Sequence, residues 1–359
     1  MKSHWFNQCN PVKLIPVKPY QTGRLRNEKS AMKASTKPYA ITGFLLLSIM
    51  VTVLLITATN EALTVHPAAG ITAILITSGT FIAIFLEGKT LLHDTIEPVA
   101  FSRKFFEFAA VFLGGVFTFY LSTNLGLGAV IASSLVGILA AMIIPKYGAA
   151  AYCGSFVGMS SFSLFSNYTG VALASAIAGI VYVLSRDVFG GFGGKLGTIA
   201  FLGASIAAVI LGREFLMTNL ADWNTNLWVL VFAFIAAPLT FYLNCYLGNG
   251  PVLASGAIGL VGGLILPVLF PQIGGQLAIV VICASFTGMS NKKRCPHFWH
   301  MLVAGLFTGI LFVFSTPLLG GAGGKLGTIA FASIISTNGF IDLYHLIHGE
   351  GASHPSISA

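Results

Sequence analysis

Most of this chain is long uncharged apolar stretches separated by short polar punctuation. The stretches cover residues 39–57, 67–86, 108–144, 168–185, 227–246, 251–270, 298–319 and 326–341. Most reach the length of roughly 20 residues that a bilayer-spanning helix needs. Residues 108–144 hold enough for two spans, with Asn124 near the turn. Two further uncharged stretches, 147–165 and 275–291, are just long enough to span, or to dip in and return.

The apolar pattern is duplicated. Residues 190–201 read GGFGGKLGTIAF and residues 320–331 read GGAGGKLGTIAF, matching at eleven of twelve positions. CGSFVGMS at 153–160 matches CASFTGMS at 283–290, also 130 residues apart. TFYL at 118–121 matches TFYL at 240–243, and Pro145 matches Pro267, both at an offset of 122. The blocks keep their order, which reads as an internal repeat. The eight-residue difference in offset is expected in a longer linker over 267–275.

Composition changes the picture from apolar segments to a membrane protein. Charged residues are 8% of the chain and hydrophobic residues 55%, leaving too little polar surface to coat a soluble domain of 359 residues. The high glycine content, 41 residues, suits helix–helix packing in lipid. The net charge of +8 is local. Residues 1–38 carry Lys2, Lys13, Lys18, Arg24, Arg26, Lys29, Lys33 and Lys37 against one acid, Glu28, so the remaining 321 residues hold +1. This tail reads as a cytoplasmic topology signal with attraction to anionic lipid, not as a nucleic-acid surface. No small-residue cleavage site follows the first span, which is read as retained. Cys9, Cys153, Cys245, Cys283 and Cys295 show no CxxC spacing, so neither a disulfide framework nor a zinc site is expected.

The basic residues orient the segments. With the tail inside, five helices per repeat put Lys89, Arg103, Lys104, Lys146, Arg186 and Lys292–Arg294 inside, and Arg213 outside beside Glu214. Four helices per repeat exchange Arg186 with Arg213. The expected fold is therefore an all-α integral membrane protein of about 12 spans. It has a basic cytoplasmic tail (1–38), a two-helix preamble (39–104), repeat 1 (105–212), repeat 2 (226–343) and a short C-terminal tail (344–359). An odd helix count inverts the second repeat. The alternative is 10 spans in two parallel four-helix repeats with re-entrant segments. The expected location is the plasma membrane, the inner membrane in a bacterium, with the N-terminus cytoplasmic.

Two motif pairs are candidates for a solute pathway. In GGxGGKLG, Gly193, Gly194, Lys195 and Thr198 pair with Gly323, Gly324, Lys325 and Thr328. Glycines allow irregular backbone and close approach, and a helix N-terminus favours anions. A lysine at a helix N-terminus is electrostatically unfavourable there, so something negative should offset it. The other reading is a lysine that snorkels to water. In SFxGMS, Ser155, Gly158 and Ser160 pair with Ser285, Gly288 and Ser290. There a broken helix would expose carbonyls and hydroxyls; the other reading is small-residue packing.

Carboxylates are expected to be absent from the repeat cores. Glu107 and Asp342 fall near span ends, Asp187, Glu214 and Asp222 in loops, and Glu87 at the start of a polar loop over 87–104. Two groups that could be drawn as metal sites, Cys295 with His297 and His300, and His345 with His348 and His354, lie at membrane edges without carboxylate partners. No nucleophile motif, P-loop or dinucleotide fingerprint occurs, so no enzyme, metal or cofactor is expected. The function expected is a transporter, permease or channel for a small polar or anionic solute, with the pathway between two inverted repeats. The alternative is a non-transporting structural or regulatory subunit of a larger membrane complex. The partners are the lipid bilayer and the solute, with homo-oligomerisation left open.

Overall fold

The structure is a computed structural model that describes residues 22–94, 96 and 98–348, with side chains from residue 37 onward. Lys2, Cys9, Lys13, Lys18 and residues 349–359 lie outside the described residues. Among the described residues the chain is all helical, with twelve helices and no strand.

The first two are α1 (Thr22–Val65) and α2 (Pro67–His93). The first half of the remaining chain holds α3 (Phe101–Thr123), α4 (Ala129–Ile143), α5 (Gly148–Gly158), α6 (Tyr168–Leu184) and α7 (Lys195–Ile210). The second half holds α8 (Trp223–Cys245), α9 (Pro251–Leu269), α10 (Gly274–Gly288), α11 (Phe298–Ser315) and α12 (Lys325–Ile347). Seven are long and apolar enough to cross a membrane: α2, α3, α8, α9, α11, α12 and the Lys37–Val65 part of α1. Large apolar side chains such as Leu113, Met142, Val209, Leu227 and Val268 are exposed on the outside of the bundle. This surface is compatible with a lipid environment.

Local chemistry sets where the helices start. The ring of His66 accepts the Ala68 N–H, Asn167 the Gly170 N–H, and Asp222 the Thr225 N–H, each satisfying an orphan donor of a first turn. Gly128 and Gly250 take positive φ (76° and 80°) directly before α4 and α9, a conformation that a side chain would strain.

The helix bounds correct the expected linker. The connections over 144–147 and 270–273 are both four residues long. The eight extra residues instead lengthen two helices: α9 is four residues longer than α4, and α10 four longer than α5. Pro267 accordingly sits inside α9, while Pro145 lies in the linker, where its counterpart is Pro271. A helix through all of 147–165 is corrected too. At 11 residues, α5 is about 16 Å long, well short of a hydrocarbon core of roughly 30 Å.

Basic residues gather at one end of the bundle. Lys37 donates to the Leu92 carbonyl, Arg103 and Arg186 pair with Glu107, Lys146 lies over Tyr147 near Phe106, and Lys292 lies over Tyr246. At the other end Tyr168 bonds Asn124, Arg213 bonds Ser166, Leu216 pairs with Gly320, and Trp228 packs on Phe270.

Candidate functional site

The two halves meet through α7 and α12. A Cβ on Gly197 would lie 2.5 Å from the Gly327 Cα, and one on Gly327 would lie 2.5 Å from the Gly197 Cα. Gly194 faces the backbone of Gly327 and Phe331, and Gly324 faces that of Gly197 and Phe201. Contacts that pair early positions with late ones mean that the helices run antiparallel, their N-terminal turns meeting in the middle of the bundle. Only glycine lets two backbones come this close. Gly194 and Gly324 also carry φ of 77° and 92° immediately before the helices.

The loops before these helices dock crosswise. The Gly193 N–H donates to Ser290 Oγ at 2.9 Å, and the Gly323 N–H donates to Ser160 Oγ at 2.9 Å. The Asn291 N–H bonds the Gly191 carbonyl, and the Ser161 N–H bonds the Gly321 carbonyl. Any Cβ at Gly193 would strike the carbonyls of Phe286 and Thr287, and one at Gly323 those of Phe156 and Val157. Each GGxGGK loop is thus bound to the SFxGMS turn of the opposite half. The structure brings together the two motif pairs singled out in the sequence.

Individual residues divide by role. Ser155 bonds Ser133, and Ser285 bonds Ser255, while each also donates back to the preceding helical turn. Gly158 and Gly288 pack on α3 and α8, against Thr118 and Thr240 respectively. Thr198 and Thr328 are fully buried, and Thr328 Oγ1 has no hydrogen-bond partner among the described residues. The thiols of Cys153 and Cys283 donate to the Leu196 and Leu326 carbonyls, each at 3.2 Å.

The lysines neither stand free nor snorkel. Lys195 Nζ donates to the carbonyls of Arg186 and Val188, and Lys325 Nζ to those of Ser315, Thr316 and Leu318. These carbonyls lie at and just beyond the C-terminal ends of α6 and α11. A cation is favoured there by the helix dipole, which supplies the negative partner that a lysine at a helix start requires. The next residues, Phe189 and Leu319, have φ of 51° and 54°. For residues with a Cβ this left-handed region costs about 1–2 kcal/mol. The lysine clamps offset that strain and hold the turn.

Sequence reasoning left out the aromatic and ionic residues between the motifs. Phe156 and Phe286, the shared Phe of the SFxGMS blocks, pack with ring centroids 4.4 Å apart, and Tyr152 packs on both. A cavity of about 330 Å³ adjoins this pair; Gln276, Thr316, Lys325 and the 320–324 loop line it. The expectation that Glu87 opens a polar loop is corrected: it lies within α2, buried, and pairs with Arg294 through both guanidinium NH2 groups. Glu107 is likewise buried, with Arg103 and Arg186. The sequence signal for Arg294 is its mismatch with Leu164 in the 130-residue alignment.

No known protein family matches this chain, and no curated protein or solved structure matches it either.

Proposed function

We propose that this is an integral membrane permease or channel for a small polar or anionic solute, built as a two-helix preamble and two inverted five-helix repeats. The observation that carries the reading is the antiparallel meeting of the α7 and α12 N-termini beside the crosswise-docked loops. Helices that start in the middle of an apolar bundle are a costly arrangement. Non-helical backbone at membrane depth is tolerated only where protein buries it or it lines a water-filled cavity. Inverted repeats with discontinuous helices are an architecture of secondary transporters, with the solute site at the repeat interface. The cavity beside Phe156, Phe286 and Lys325 lies at that interface. Clustering of the basic residues at one end supports placing that end in the cytoplasm.

The test is flux into liposomes containing the purified protein, across a panel of small anions and neutral polar solutes. Uptake of at least one solute above empty liposomes is expected; none across the panel would remove the transport reading. Orientation is tested separately. Cysteines at Asn167 and Pro271 should label from one side of the membrane, and a cysteine at Lys293 from the other. Labelling of Asn167 and Lys293 from the same side would overturn the inverted arrangement.

A further inference from the structure

The two loops that enter the centre are nearly identical in sequence and differ in their surroundings. Ala322 of the second loop lines the cavity beside Phe156 and Phe286. Its counterpart 130 residues earlier is Phe192, a buried ring packed against Phe189 and Phe331. The Arg294 guanidinium lies 4.1 Å from the centroid of the Phe192 ring. Arg294 Nε donates to the Gly190 carbonyl at 2.9 Å, and its two NH2 groups grip the Glu87 carboxylate. Asn338 of α12 donates to the Arg294 carbonyl. At the position equivalent to Arg294 stands Leu164, and the Gly320 carbonyl, equivalent to that of Gly190, accepts instead from the Leu216 N–H in the connection between α7 and α8.

We propose that Glu87, Arg294 and Phe192 form a gate that closes the entrance at the basic end, while the equivalent entrance at the other end stands open. The inference rests on the pathway reading of the proposed function. Phe192 fills the space that Ala322 leaves open. Arg294 holds Phe192 and the 190–194 loop in place, and Glu87 ties that assembly to α2. A buried guanidinium–carboxylate pair contributes little net stability compared with apolar residues of the same volume, because both charges lose their water. Its geometry is specific, however: a planar fork on a carboxylate holds one arrangement and has to separate for another to form. Opening the basic end therefore requires Arg294 to leave Glu87 and Gly190 together. The preamble helices, which lie outside the duplicated region, would make two otherwise equivalent entrances unequal.

Thiol accessibility tests this in liposomes, on a background lacking the five native cysteines. Met159 lines the open cavity, and Met289 is its counterpart on the closed side. With the gate intact, a cysteine at Met159 should react with an impermeant methanethiosulfonate added at the Asn167 end. A cysteine at Met289 should react slowly from the Lys292 end. Glu87→Gln should raise the Met289 rate by about tenfold or more while leaving the Met159 rate within about twofold, a shift in the closed population. Phe192→Ala, which leaves the ion pair in place, should do the same, so the test survives if Glu87→Gln fails to fold. The proposal is overturned if the Met289 cysteine reacts as fast as the Met159 cysteine with the gate intact. It is overturned equally if the Met289 cysteine stays protected in a folded Phe192→Ala protein. Because labelling needs no solute, loss of the gate and loss of the transport reading are told apart: the first appears in labelling, the second in flux.

Discussion

Phe156 and Phe286 meet ring to ring at 4.4 Å, their planes tilted by 47°, near the ends of α5 and α10. They occupy the same place in the two SFxGMS blocks, and both are about 1% exposed. The inner wall of the cavity is therefore closed by two apolar rings. Phe286→Ala or Phe156→Ala should destabilise the protein by about 3–5 kcal/mol, the usual range for deleting a buried aromatic. In liposomes, folded protein that also carries Phe192→Ala should leak solutes that Phe192→Ala alone excludes. Unchanged exclusion by both folded variants would show that the ring pair is packing and not a constriction.

The glycines predict a contrast in stability. Gly197→Ala places a Cβ 2.5 Å from the Gly327 Cα, with backbone and no flexible side chain on the other side. Forcing atoms into such a contact costs about 1–3 kcal/mol or more. Gly190→Ala meets nothing within 4 Å and needs no positive φ. Thermal melting in detergent should fall clearly for Gly197→Ala and stay at the wild-type value for Gly190→Ala. Equal melting of the two would refute the close crossing of α7 and α12.

Replacing Lys325 with Met keeps the apolar stem and removes the donor to three carbonyls. Hydrogen bonds to a charged group are worth about 1.5–3 kcal/mol, so Lys325→Met should melt measurably below wild type. Lys195→Met removes the donor to two carbonyls and should cost less. If the lysines also attract the solute, flux by the folded variants should fall further than their folded fraction does. Wild-type melting in both would contradict the clamp.

Asp222 gives a pH dependence outside the apolar helices. The Thr225 hydroxyl and N–H both donate to its carboxylate and hold its pKa below the ordinary value. A carboxyl with a depressed folded pKa stabilises above its unfolded pKa of about 3.9, and that contribution is lost as pH falls through the folded value. Wild type should thus lose melting temperature relative to Asp222→Ala as the buffer is taken from about pH 4 downwards. Parallel pH profiles of the two proteins would show that the cap has no role.

The positions of most helices are legible in the sequence because the information is local. Uncharged length, Pro67 and Pro251 in first turns, and Asn167 and Asp222 as caps each act within a turn or two. The matching blocks likewise mark the residues that the fold brings to its centre. Where α5 ends, which loop crosses to which half, and what meets the lysine charges are long-range facts. Ser160 and Gly323 are 163 residues apart, and Glu87 and Arg294 are 207 apart. No local pattern records such pairings. Glu87 reads as the start of a loop because a charge after an apolar run normally marks its end. Only the folded chain could supply the guanidinium that makes its burial tolerable, and only folding could bring the carbonyls beyond α6 and α11 to Lys195 and Lys325.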